Sequence, residues 1–223
     1  MAYRLHQDLW FCRIGQQLIF LDVHADRYFR LPTREESLLV QRLRGNTGVA
    51  PLAIADGNQV DRLLSLGFPG EKFTSTPPTR STMEERHQDA PISLHALPAV
   101  AYAIASTQAR LRLQPLKNVV SHMQRYRSRR AAKPQRAETT PPPSALEAVD
   151  VFNGLRLYVP IAPCCLLDSI AMSMFLARHG IHCQVVFGVT SNPFGAHSWV
   201  QAGHVVLNDS VGSVSAYTPI GVF

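Results

Sequence analysis

The stretch CCLLDSIAMSMFLARHGIHCQVVFGVTSNPFGAHSWVQAGHVVLND, residues 164–209, decides how this chain is read. Leu166, Leu167, Ile170, Ala171, Met174 and Phe175 recur at the i, i+3, i+4 spacing of a buried helix. Arg178-His179-Gly180 places cation-capable residues in the last turn and a C-cap glycine behind them, so the helix should stop there. Cys165 then lies in the first turn, where free backbone N–H groups and the positive dipole end stabilise a thiolate. A strand is predicted next over 182–190, with Cys183, Val185, Phe187 and Val189 on one face. A Ser-Asn-Pro-Phe-Gly loop leads into a second strand carrying His197, Trp199 and Gln201.

Register arithmetic connects these elements. If Ala202-Gly203-His204 forms a three-residue hairpin loop, Gln201 opposes Val205, Trp199 opposes Leu207 and His197 opposes Asp209. Directly opposed residues point to one side, with Cβ atoms about 4.5–5.5 Å apart. A carboxylate there accepts the imidazole N–H and fixes its tautomer. A two-residue loop slips the register by one and puts the pair on opposite faces. Cys165 as nucleophile, His197 as base and Asp209 as orienter would form the papain-like and transglutaminase-like arrangement. Cys164 is the alternative nucleophile, though helix phase favours Cys165. Trp199, on the His197 face, is expected to wall the substrate site. Cys12 and Cys183 read as core residues. Cys164, His179, His182 and Cys183 match no closed zinc spacing, so no metal is expected.

Two segments poor in large apolar residues or rich in proline divide the chain, Thr74 to Asp89 and Ala131 to Pro143. They give an N-terminal domain over 1–73, a linker over 74–90 and a C-terminal domain over 91–223 that holds the candidate triad. Within the first, strands are expected at Trp10 to Ile14, Leu18 to Asp22 and Arg27 to Leu31, joined by hairpin turns. Helices are expected from Thr33 to about Gly45, over Val49 to Ala55, and over Asn58 to Leu66. That order is a winged helix-turn-helix plan. The last of these helices has only Arg62 set against Asp61, too little positive charge for a DNA-reading helix, so no nucleic acid is expected. Leu94 to Arg130 reads as two packing helices broken near Pro115, and Ser144 as the cap of a helix running to about Leu157. The fold class is therefore α+β.

Composition agrees with a globular protein: 223 residues, 46% apolar and 17% charged. The uncharged, largely apolar run Leu157 to Leu167 is too short to span a bilayer. No secretory signal pattern opens the chain and only four cysteines are present, so a reduced, cytoplasmic protein is expected. The net charge of +6 is concentrated in Arg125, Arg127, Arg129, Arg130, Lys133 and Arg136, which read as a solvated helix end entering a linker.

Two resemblances sharpen these expectations. LIFLDVHADRYFRLPTREESLL resembles the recognition element of ribosomally synthesised, post-translationally modified peptides (RiPPs), a winged helix-turn-helix related to the pyrroloquinoline-quinone chaperone (PqqD-like) family. That resemblance implies a leader peptide adding to a sheet edge, with Arg27, Tyr28, Phe29, Arg30 and Leu31 on one wall and Gln59, Val60, Arg62 and Leu63 on the other. The features Cys-Leu-x-x-Ser, Arg-x-Gly-Ile, an apolar strand ending Gly-Val, Pro-Phe-x-Ala-His-x-Trp-Val and Val-Leu-Asn-Asp resemble the maturation peptidase (B protein) of lasso-peptide biosynthesis. Asp168 departs from that pattern, since many members carry arginine there. The resemblance implies leader removal from a precursor peptide beside an asparagine-synthetase-like cyclase. No cofactor of its own is expected, any ATP requirement entering through the cyclase. An amine-accepting acyl transferase and a silent peptide-binding scaffold are the alternatives.

Overall fold

A computed structural model describes residues 3–5, 8–43, 64–66, 77–85, 94–131 and 141–223. The chain divides into two compact units, Met1–Phe73 and Thr74–Phe223.

In the first unit, β1 (Tyr3–Leu5) pairs antiparallel with β5 (Leu64–Leu66). An antiparallel meander follows β1, formed by β2 (Leu9–Ile14), β3 (Gln17–Asp22) and β4 (Arg27–Phe29). The first hairpin is tighter than expected: Ile14 pairs with Gln17, and Gly15 takes φ +60°, the left-handed conformation that glycine reaches without a Cβ penalty. At the second turn Asp22 Oδ1 accepts the N–H groups of His24 and Ala25, an Asx turn that closes the loop before Arg27. Helix α1 (Thr33–Leu43) carries Glu35 and Glu36 in its first turn. Glu36 Oε1 accepts the Leu18 N–H at 3.1 Å and ties the helix to the meander. Leu9, Leu18, Phe20, Leu31 and Leu39 form the core beneath.

Two expectations change here. Leu64–Leu66 is strand and not the end of a helix, because its main chain is taken up in the ladder with Tyr3–Leu5. The helix expected over 49–55 and residues 58–63 of the next lie outside the described residues.

The second unit is built on a five-stranded sheet of order β10-β7-β8-β9-β6. Its elements are β6 (Arg80–Ser81), α2 (Thr82–Glu85), α3 (Leu97–Leu113), α4 (Leu116–Arg130), α5 (Pro143–Arg156), α6 (Cys165–Arg178), β7 (Gln184–Ser191), β8 (Phe194–Ala202), β9 (Val205–Val206), α7 (Val211–Ser215) and β10 (Thr218–Val222). Part of the expected linker thus belongs to the sheet, since β6 pairs in parallel with β9. The break between α3 and α4 falls at Pro115, as its missing N–H requires. Helix α5 starts one residue before Ser144, because Pro143 has its φ set for the first helical position and needs no donor there.

Helix α6 is the centre of this unit, with Ile170, Ala171, Met172, Leu176 and Ala177 fully buried. A helix apolar on nearly every side must be covered on every side. Here α3, α4 and α5 pack against it, and β8 carries its N-terminal half. Its polar positions are satisfied: Ser169 Oγ donates to the Ser198 carbonyl, and Cys183 Sγ lies 3.6 Å from Ser173 Oγ. Gly180 ends it with φ +76°.

The basic tract is only partly a solvated face. Arg127 is buried, and its Nη1 donates to the carbonyls of Cys183 and Phe223 at 2.6 and 2.7 Å. Those carbonyls offset the cost of burying the guanidinium. Lys133 and Arg136 lie outside the described residues. No helix among the described residues is long and apolar enough to cross a membrane.

Candidate active site

Cys165 is the first residue of α6, with Cys164 as the N-cap in extended conformation (φ −148°, ψ 127°). The first-turn N–H groups and the dipole's positive end therefore face the thiol. Asp168 fixes this turn: Oδ2 accepts the Cys164 N–H at 3.2 Å, while Oδ1 accepts from Arg156 Nε at 2.7 Å. Arg156 also donates to the carbonyls of Val159 and Ile161, stitching the end of α5 and the following loop to the start of α6. Asp168, the departure noted in the sequence, is thus a helix-end anchor paired with a half-buried arginine.

His197 reaches Asp209 through Nε2, 2.5 Å from Oδ2. That leaves Nδ1 for the Cys165 thiol, to which the ring is also hydrogen-bonded. The structure therefore brings Cys165, His197 and Asp209 together, but by a different route from the register arithmetic. The β8–β9 loop has two residues, Gly203 and His204, so Ala202 pairs with Val205 and Gln201 with Val206. Continued regularly, that ladder would set Asp209 beside Ser198 on the wrong face. It does not continue. Leu207 N still donates to the Val200 carbonyl, but Val200 N donates to the Asn208 side chain. The Leu207 carbonyl turns away to accept from Thr82 Oγ1 and Asn153 Nδ2. The chain peels from β8, and Asp209 swings back to His197. Ser81 Oγ donates to the Asp209 carbonyl and Ser210 N to Asp209 Oδ1, which hold it there.

Charge follows this geometry. The His197 hydrogen bond is the largest influence on Cys165; with the Ser198 hydroxyl and backbone N–H it outweighs burial and brings the thiol down to about 7. His197 is pushed up to about 9, first by Asp209 and then by Cys165. Burial works to raise the Asp209 carboxyl, yet the bonds from His197 and the Ser210 amide hold it below the usual carboxylate range. As pH rises through about 7 the thiol ionises while His197 still holds its proton, which sets a thiolate facing an imidazolium, the charge state of an activated nucleophile. Cys12 contrasts with it, since burial alone pushes that thiol up to about 11.

Sequence reasoning missed several contributors. Ser198 follows His197 directly, and its buried hydroxyl and its backbone N–H both act to lower the Cys165 thiol. Tyr217, from the turn before β10, lies 5.0 Å from the His197 ring, centroid to centroid. Trp199 is on the His197 side at 6.2 Å, but it is buried in the core with Val186, Val206 and Val214, and its Nε1 donates to Gln201. It supports the histidine from behind and has no exposed face to offer a substrate.

Of the expected leader-binding residues, Arg27, Tyr28 and Phe29 form β4, which ends the order of its sheet. Phe29 stacks on Phe20 at 5.2 Å, and Arg27 lies over the Phe29 ring at 5.6 Å. Arg30 Nη1 donates to Gln17. Leu31 is a core residue, buried because it packs on Leu9 and Leu39, so its side chain does not line a groove. Gln59, Val60, Arg62 and Leu63 lie outside the described residues. Among the described residues no group of three or more His, Cys, Asp or Glu side chains is placed to hold a metal ion.

A short segment is 41% identical over 46 residues to the microcin J25-processing protein McjB of Escherichia coli, covering 21% of this chain and 22% of that protein. No solved structure matches. Residues 99–222, which hold all three side chains of the candidate site, match the transglutaminase-like superfamily, and the chain belongs to that superfamily.

Proposed function

We propose that this protein is a cysteine peptidase that binds the leader of a lasso-peptide precursor and cleaves it off before macrolactam cyclisation. The observation that carries the reading is the hydrogen-bonded series Cys165, His197, Asp209 at a helix N-terminus. The segment similar to a microcin-processing protein supports the substrate class.

In the proposed reaction the Cys165 thiolate attacks the scissile carbonyl carbon. The imidazolium of His197 gives its proton to the leaving amine as the C–N bond breaks, leaving an acyl thioester on Cys165. Water then attacks the thioester and gives its proton to His197. The C–S bond breaks, the leader departs as an acid, and the thiolate–imidazolium pair is restored. Asp209 holds the ring throughout, and the Cys165 N–H is one donor to the oxyanion. The leader adds to the outer edge of β4, which raises the effective concentration of the scissile bond. An asparagine-synthetase-like cyclase would consume the product, and ATP use belongs to that partner, since this chain has no phosphate-loop pattern.

Membership of the transglutaminase-like superfamily favours one second reading, capture of the same thioester by an amine. Incubating the purified protein with its precursor, with and without the cyclase, separates the readings by product mass. A free leader acid supports hydrolysis, an amide adduct supports transfer, and binding without turnover supports a scaffold. Cys165→Ala should lose on the order of 10⁶ in rate. Retained activity would move the nucleophile to Cys164.

A further inference from the structure

We infer that the concavity between α3, α4 and the C-terminal half of α6 is a binding site for a small organic anion, a phosphate or carboxylate attached to a flat apolar group. It is separate from the candidate active site. Cys165 opens α6 and Arg178 closes it, so the two lie about 20 Å apart along the helix.

The cavity has a volume of about 160 Å³, and its lining includes Arg110, Arg178, His122, Tyr102, Tyr126 and Ser106 but no carboxylate. Arg110 and Arg178 each fall in the last turn of a helix, where the dipole favours a cation. That accounts for their charge and not for their convergence, from two different helices, on one hollow. Neither arginine makes an ion pair among the described residues, so both guanidiniums have donors to offer. His122 faces the same hollow, and burial first, then Arg110 and Arg125, hold it below its ordinary value. Three cation-capable groups without a counter-charge are a standing attraction for an anion, and guanidinium is the group best suited to bind one through two parallel bonds.

The remaining walls set the rest of the ligand. Tyr102 is 70% exposed at the rim, an unusual position for so large a ring. Tyr126 lies inside, backed by the Arg130 guanidinium 4.8 Å from its centroid. Ala103, Met174 and Phe175 supply apolar floor between them. A planar apolar group fits against such walls, with its charge at the arginine end.

The experiment follows the His122 ring signals by NMR in the full chain while phenyl phosphate, benzoate or uncharged phenol is added. Phenyl phosphate or benzoate should shift the His122 signals saturably and raise the pH at which the ring titrates, whereas phenol should not. The tighter of the two anions identifies the head group. Arg110→Gln and Arg178→Gln should each weaken binding about tenfold or more, the loss of one charge-assisted contact. Ser106→Trp should fill the hollow and abolish binding, while circular dichroism and the alkylation rate of Cys165 stay as in the parent. No saturable shift with either anion, equal binding of phenol, or unchanged affinity in all three variants would overturn the assignment.

Discussion

Asn208 Oδ1 accepts the Val200 N–H at 2.7 Å, and with that bond a side chain takes the place of a strand. The outer edge of β8 keeps a row of main-chain groups that β9 would otherwise satisfy. Beyond Gln201 they pass in turn to Leu207, to Asn208, to the Ser169 hydroxyl and, at the Ser198 N–H, to the Cys165 thiol. Asn208 Nδ2 also donates to Ser169 Oγ at 3.0 Å, so one amide joins the peeled strand, the edge of β8 and the first turns of α6. Helix α6 can bring its tip to His197 because β9 has stopped short.

Asn208→Ala should therefore cost more than a surface substitution. It leaves the Val200 N–H buried without its acceptor, a loss of about 1–3 kcal/mol. Because Asp209 is the next residue, the thiolate should suffer as well. Urea unfolding would report the first effect and the rate of iodoacetamide reaction at Cys165 the second. Full stability with full thiol reactivity would show that the strand peels without the amide.

The pH profile of that thiol follows from the two shifts. Cys165 is lowered to about 7, so the thiolate forms as pH rises through that value. His197 is raised to about 9, so the imidazolium is lost as pH rises through that value. The reactive ion pair should fill a window between them, and turnover should follow a bell with limbs that belong to the pair jointly. Asp209→Asn removes the first cause of the raised histidine. The alkaline limb should move down and, because imidazolium then supports the thiolate less, the acid limb should move up. Turnover measured from about pH 5 to 10 spans both limbs, and an unmoved alkaline limb would deny Asp209 its role.

Much of this was legible before any coordinates. The period of residues 166–175 and the glycine at 180 located α6, and Pro115 located the break between α3 and α4, because each signal is local. The meeting of His197 with Asp209 was expected for a reason that proved wrong. Loop parity depends on one residue of turn geometry, and the correction comes from an asparagine whose amide replaces backbone, which no period reveals. Arg127 and Leu31 were misplaced for the same kind of reason. A charge run and an edge strand look solvated in sequence, and only tertiary contacts supply the carbonyls that bury the one and the core that buries the other.

Gly188 stands opposite His197 in the β7–β8 ladder, and its missing side chain is what lets the aromatic support close. A Cβ built there would lie 2.7 Å from Trp199 Cζ3 and 2.8 Å from Tyr217 Cβ, closer than carbon atoms approach. Trp199 is a fully buried indole with little freedom to move. Gly188→Ala should destabilise by about 1–3 kcal/mol, the usual range for overpacking, and displace Tyr217 from the His197 ring. The activity loss should exceed what the unfolded fraction explains, and comparing turnover with the folded population at one temperature tests that. Activity that tracks folding alone would reduce Gly188 to a packing residue.

Arg156 offers the sharpest separation of anchoring from chemistry, because its side-chain hydrogen bonds go to Asp168, Val159 and Ile161 and not to the Cys165, His197, Asp209 series. Its side chain is 12% exposed and Asp168 is 20% exposed, so their 2.7 Å bond is sheltered without being fully buried. Arg156→Ala strips Asp168 of its cation and frees the carbonyls of Val159 and Ile161. The expected cost is about 1–3 kcal/mol, below that of breaking a fully buried pair. Arg156→Lys keeps the charge but has no planar fork to reach Asp168 and two carbonyls together, so it should recover only part of the loss. The informative readout is the acid limb of Cys165 alkylation. A loosened first turn aims its N–H groups less well at the thiolate, and the limb should move to higher pH in both variants, further in alanine than in lysine. A limb that stays in place while stability falls would mean that the helix tip is held by its own packing, and that Asp168 and Arg156 serve only to brace the loop before it.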